Sequence, residues 1–118
     1  MAERIKAVLL IGGLVLASGL DAPVSAEPLC YSSWVTGYVR SEYGPYTYDG
    51  THILTSEPIA AASWDLPLNS MVSIEGLGTY RIADRGMLGA AGWIDVAVWS
   101  RAEAYSITGN KIICVTPP

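Results

Sequence analysis

The sequence predicts a mainly β protein, a small barrel of six short strands with one short helix. Short apolar or alternating runs recur along the chain, each bounded by glycine, proline or aspartate-glycine turns. Only the stretch that begins at Ser100 carries a helix start signal. At 118 residues, 51% of them apolar, the chain makes one domain at most. An open sheet of so few strands would expose its edges, and closure into a barrel removes them.

The chain opens with Arg4 and Lys6, an uncharged apolar run from Ala7 to Leu20, and the small-residue site Val24-Ser25-Ala26. This is the pattern of a secretory signal peptide over residues 1–26, which leaves residues 27–118 as the mature domain. The apolar run is shorter than the roughly 20 residues of a membrane span, and no cysteine follows it at lipoprotein spacing. No stable membrane anchor is expected after cleavage, and the protein is placed outside the cytoplasm, secreted or in the periplasm or cell envelope. Cys30 and Cys114 stand near the two ends of the mature chain. An even count in a small exported domain points to a disulfide, worth about 4 kcal/mol for so long a loop; two separate buried thiols are the alternative. With His52 as the one histidine and no C-x-x-C pair, neither a metal site nor a cofactor is expected.

Residues 34–40, rich in aromatic and β-branched side chains, read as the first strand. Residues 41–55, with Gly44-Pro45 and Asp49-Gly50, read as a long irregular loop that carries Tyr43, Tyr46 and Tyr48. These tyrosines either form a platform for the apolar faces of sugar rings or pack the loop onto the barrel. The small residues at 59–63 suit a tightly covered strand, and Pro67 ends regular pairing after it. Residues 71–74 and 79–82 alternate around Glu75-Gly76-Leu77-Gly78, a hairpin signal. Ser100-Arg101-Ala102-Glu103 fits a capping box for a helix over 101–107, and residues 111–115 make the last strand.

The most informative stretch is residues 80–98. Two apolar runs flank a glycine-rich loop, and each presents one aspartate to it: Asp84 closes the first run and Asp95 interrupts the second. A carboxylate within an apolar strand is costly to bury unless it is hydrogen-bonded, charge-paired or kept protonated for chemistry. The net charge of −4 is unchanged by removing residues 1–26, which hold two acids and two bases. With no basic stripe, nucleic acid is not an expected partner, whereas a glycan is compatible.

The succession Thr36-Gly37-Tyr38, Leu66-Pro67-Leu68-Asn69-Ser70, residues 72–78, Ala83-Asp84-Arg85-Gly86 and Trp93-Ile94-Asp95-Val96 resembles the three-aspartate (3D) domain. That domain is a double-psi β-barrel of the membrane-bound lytic transglycosylase A family and of secreted cell-wall and spore resuscitation proteins. Rare lipoprotein A and the expansins share the barrel. The resemblance covers nearly all of residues 27–118. It implies a monomeric cell-wall protein that acts on peptidoglycan, with Asp95 as catalytic acid/base and Asp84 as its partner. Tyr38, Trp64, Arg85 and Trp93 are the candidate substrate contacts. Trp64, beside Asp65 and ahead of the proline turn, is the best placed for stacking, while Trp93 and Trp99, in or beside the apolar strand, have core packing as the alternative. The chain departs from the family at the first aspartate, where it has Ala62 and Ser63; Asp65 is nearby but shifted in register.

A lytic transglycosylase uses the sugar's own 6-hydroxyl as nucleophile, so one carboxyl group suffices where ordinary glycosidases need two. That group must hold a proton near neutral pH. Trp93, Ile94 and Val96 as an apolar wall, with Asp84 beside them, would favour the protonated form of Asp95; an Arg85 guanidinium aimed at Asp95 would oppose it. Three roles therefore stand side by side: a transglycosylase-like enzyme, a non-catalytic polysaccharide-binding or wall-loosening module, and a structural protein in which both aspartates brace the backbone.

Overall fold

The computed structural model describes residues 27–86 and 91–118. The expected signal peptide, residues 1–26, lies outside the described residues, as do residues 87–90 of the glycine-rich loop.

Six strands close into one barrel: β1 (Leu29–Val39), β2 (Ile59–Ala62), β3 (Met71–Ile74), β4 (Gly78–Arg85), β5 (Ile94–Val98) and β6 (Gly109–Thr116), in the order β1-β5-β2-β4-β3-β6. The barrel is mixed: β1 runs parallel to β5 and β2 parallel to β4, while the other four pairings are antiparallel. Strand alternation sends Val35, Ala60, Val72, Ile82, Ile94, Val96 and Ile113 into one buried apolar cluster. A smaller cluster of Tyr38, Ile53, Ile59, Ala61, Ala83 and Ala97 lies apart from it and includes Ile53 of the irregular loop. The tyrosine-bearing loop thus covers one face of the barrel.

β1 begins five residues earlier than the sequence pattern predicts, because β6 pairs with it as far as Leu29. This extension makes Cys30 and Cys114 direct cross-strand partners, and they form a disulfide across a sequence separation of 84 residues. Closing a loop of that length limits the unfolded chain by about 4–5 kcal/mol in the chain-entropy account. The bond is consistent with an oxidising compartment. Among the described residues no helix is long and apolar enough to cross a membrane.

The helix is where its cap predicts it. In α1 (Arg101–Ile107) the Glu103 N–H donates to Ser100 Oγ at 3.1 Å, and the Glu103 carboxylate accepts from the Trp99 N–H at 3.0 Å. α1 packs on β1 at Gly37, where a Cβ would lie 2.9 Å from the Ala104 Cα, so any larger residue would push the helix away. The β3–β4 hairpin also forms as predicted, with Gly76 at φ 77° in its turn.

Two arginines hold the irregular stretch between β1 and β2. Buried Arg40 donates to the carbonyls of Ile53, Thr55 and Glu57. Arg81 on β4 pairs with Asp49 at 2.7 Å and with Glu57 at 2.7 Å, and also reaches Thr51 and Asn69. A loop with little ladder of its own is thereby tied down through the carbonyls of Ile53, Thr55 and Glu57 and the side chains of Asp49, Thr51 and Glu57.

Candidate functional site

Three neighbouring strands build the site. Asp95 on β5 opposes Ala61 on β2, and Ala61 opposes Asp84 on β4, so the two aspartates flank one alanine. Two strand spacings set their Cα atoms about 10 Å apart. Asp95 faces outward because its neighbours Ile94 and Val96 point into the core. Asp84 needs a further device. Counting by twos from buried Ile82, it would face inward, but Ala60 opposes Ile82 while Ala61 opposes Asp84, so β4 carries one extra residue at Ala83. That bulge turns Asp84 to the same face as Asp95.

Both carboxylates line one pocket of about 130 Å³ with Tyr38, Tyr43, Ala61, Arg85 and Gly86. Their hydrogen bonding differs. Asp84 accepts from the Tyr48 N–H (2.9 Å), the Arg85 N–H (2.9 Å) and the Tyr38 hydroxyl (3.3 Å). Asp95 accepts from Thr36 Oγ1 at 2.8 Å, and its Oδ2 has no donor among the described residues. Burial pushes the Asp95 carboxyl above the ordinary aspartate range and the charge of Asp84 adds to it, while the Thr36 bond opposes both. Burial and then Asp84 likewise push the Tyr38 phenol up, which keeps its hydroxyl a donor.

Arg85 lines the pocket without neutralising it. Its guanidinium donates to the carbonyls of Ser63 (2.9 Å) and Leu66 (2.6 Å), and Trp64 lies over it at 4.7 Å. Among the described residues neither aspartate has an ion pair. Trp64 is 59% exposed and meets Tyr48 edge to face at 5.4 Å, so the two rings form a shelf beside Arg85. Tyr43 meets Tyr38 edge to face, also at 5.4 Å. Of the three loop tyrosines, Tyr43 and Tyr48 therefore border the carboxylate pocket, whereas Tyr46 packs against His52.

The sequence pattern brings Asp84, Asp95, Tyr38 and Arg85 to one place and Trp64 to its border. Trp93 is elsewhere: it precedes β5, pairs with Trp34 at 6.4 Å, and does not line the pocket. The apolar wall assigned to Trp93, Ile94 and Val96 is replaced by Tyr38, Tyr43 and Ala61, since strand alternation puts Ile94 and Val96 on the interior side. Asp65 is exposed and does not line the pocket, and Ala62 points into the core. Sequence reasoning gave Thr36 and Ala61 no role in the site. Thr36 shares strand parity with Tyr38, a signal that was available; the position of Ala61 depends on a pairing no local pattern specifies. Among the described residues no group of three or more metal-ligating side chains converges. No family model matches the chain, and comparison with the curated proteins finds no match.

Proposed function

We propose that this protein is an exported cell-wall protein of the three-aspartate, double-psi barrel type that cleaves peptidoglycan glycan strands by intramolecular transglycosylation. The observation that carries the reading is Asp95: a half-buried carboxyl with raised proton affinity that lines the pocket and, among the described residues, has one donor, on one of its two oxygens. The mixed barrel with parallel β1·β5 and β2·β4 pairs is compatible with the double-psi connection.

In this mechanism protonated Asp95 gives its proton to the glycosidic oxygen as the bond from the anomeric carbon breaks. The muramyl 6-hydroxyl then attacks that carbon, and Asp95 takes the hydroxyl proton. The products are a new chain end and a 1,6-anhydro ring; no water is consumed, and the carboxyl returns to its starting state. Asp84, fixed by three donors, would contribute negative potential that favours the protonated form of Asp95 and the positive charge of an oxocarbenium-like transition state. Trp64, Tyr48 and Tyr43 offer ring faces for stacking on sugars.

Asp95→Asn keeps the Thr36 bond and removes the transferable proton. Release of anhydromuramyl products from purified sacculi, read by mass spectrometry, should fall by a factor of about 10²–10⁴ in the variant. Wild-type protein that releases no such product contradicts the enzyme reading. A second reading, a glycan-binding module without cleavage, is favoured by one observation: no carboxylate stands at Ala62 or Ser63, so the family's first aspartate has no counterpart in the pocket. Binding of sacculi without products would select it.

A further inference from the structure

A second recess of about 220 Å³ lies between β1 and α1, bordered by Glu42, Arg101, Ala104 and Tyr105. Tyr38 and Tyr43 line both compartments, so the two recesses adjoin at these side chains. Two features of the second compartment have no evident part in folding. Tyr105 of α1 borders this recess and is 77% exposed. Arg101 and Glu42 form an ion pair at 2.9 Å that is open to solvent and adds little to stability. Together they make a recognisable chemical set. Aromatic faces match the C–H faces of a pyranose, while a guanidinium beside a carboxylate supplies donors and an acceptor side by side for adjacent hydroxyls.

We infer that this compartment binds a further saccharide unit of the same glycan strand, between Tyr43 and Tyr105, with the Arg101–Glu42 pair holding its hydroxyls. The inference rests on the glycan reading above and adds to it: the substrate is a polymer lying across the two recesses, anchored on the α1 side of the reacting bond. It does not require that Asp95 be catalytic.

The test uses the Asp95→Asn chain, so that binding is measured without cleavage, and GlcNAc–MurNAc disaccharide and tetrasaccharide as probes in calorimetry. The tetrasaccharide should bind more tightly than the disaccharide. Tyr105→Ala should remove that advantage by weakening the tetrasaccharide about 3–10-fold, as expected for one stacked ring, and Arg101→Gln should act in the same direction. Both positions are exposed, so unchanged thermal melts will show that the fold is intact. Equal affinity for the two probes in the parent, or tetrasaccharide binding unaltered in both variants, would overturn the second compartment and leave the carboxylate site standing. Failure of the parent to bind either probe would overturn both.

Discussion

Two carboxylate pairs on this barrel have opposite electrostatics. Asp49 and Glu57 close around Arg81, with oxygens 2.7 Å from its guanidinium. Burial pushes the Asp49 carboxyl up, but bonds from Thr51, Arg81 and Thr47 outweigh it and hold it well below the usual carboxylate range. The Arg81 hydrogen bond lowers Glu57 as well. Asp84 and Asp95 share a pocket with a cation too, yet Arg85 is turned onto two backbone carbonyls, and burial raises Asp95. The first pair has the signature of a brace between loop and strand, the second that of a site kept short of counter-charge. An arginine near two acids is thus uninformative until its hydrogen bonds are known.

Arg81→Met should have the largest effect on stability, because it strands two partly buried acids at once. We expect a loss of about 2–3 kcal/mol and a fall in Tm of about 10 °C or more. If the melt is unmoved, Asp49 and Glu57 are not a brace and the contrast fails.

The pH dependence of stability should separate the pairs by sign. Asp49 and Glu57 are depressed in the fold, so their contribution is present above the unfolded carboxylate value of about 4 and is lost as pH falls through their folded values. Arg81→Met should therefore flatten the acid limb of a Tm against pH curve. Asp95 is raised, so the fold favours its protonated form; its contribution is full below the unfolded value and is lost as pH rises through the folded one. Asp95→Asn should consequently leave Tm unchanged near pH 3 and raise it slightly at pH 7, by less than about 1 kcal/mol in equivalent stability. A clear fall in Tm at pH 7 would make Asp95 a structural brace.

Asp84→Asn should have a smaller and more specific consequence. It keeps one carbonyl oxygen for the Tyr48 and Arg85 N–H groups but removes the charge, so the melt should shift by about 1 kcal/mol or less. The proton affinity of Asp95 should fall with it, moving the basic limb of any cleavage profile to lower pH.

The barrel was legible because its signals are local. Alternation around Glu75-Gly76-Leu77-Gly78 gives the hairpin, and Ser100 and Glu103 give the helix start. The disulfide was legible from two cysteines near the two ends of residues 27–118. What was not legible depends on pairing between distant strands. The bulge at Ala83 turns Asp84 outward only through the register of β2 on β4, and β4 runs on to Arg85 past the point where the apolar run stops. The same long-range geometry turns Arg85 to the carbonyls of Ser63 and Leu66, and sets Trp93 against Trp34.

The central claim is that Asp95 holds its proton more tightly than an ordinary aspartate, because it is half-buried beside Asp84 and, among the described residues, has no ion pair. Its side-chain carboxyl carbon can be followed by NMR through a pH titration, in wild type and in Asp84→Asn. The account predicts a midpoint above the ordinary aspartate value of about 3.9 in wild type, and a lower midpoint in the variant. A wild-type midpoint at or below the ordinary value would contradict it.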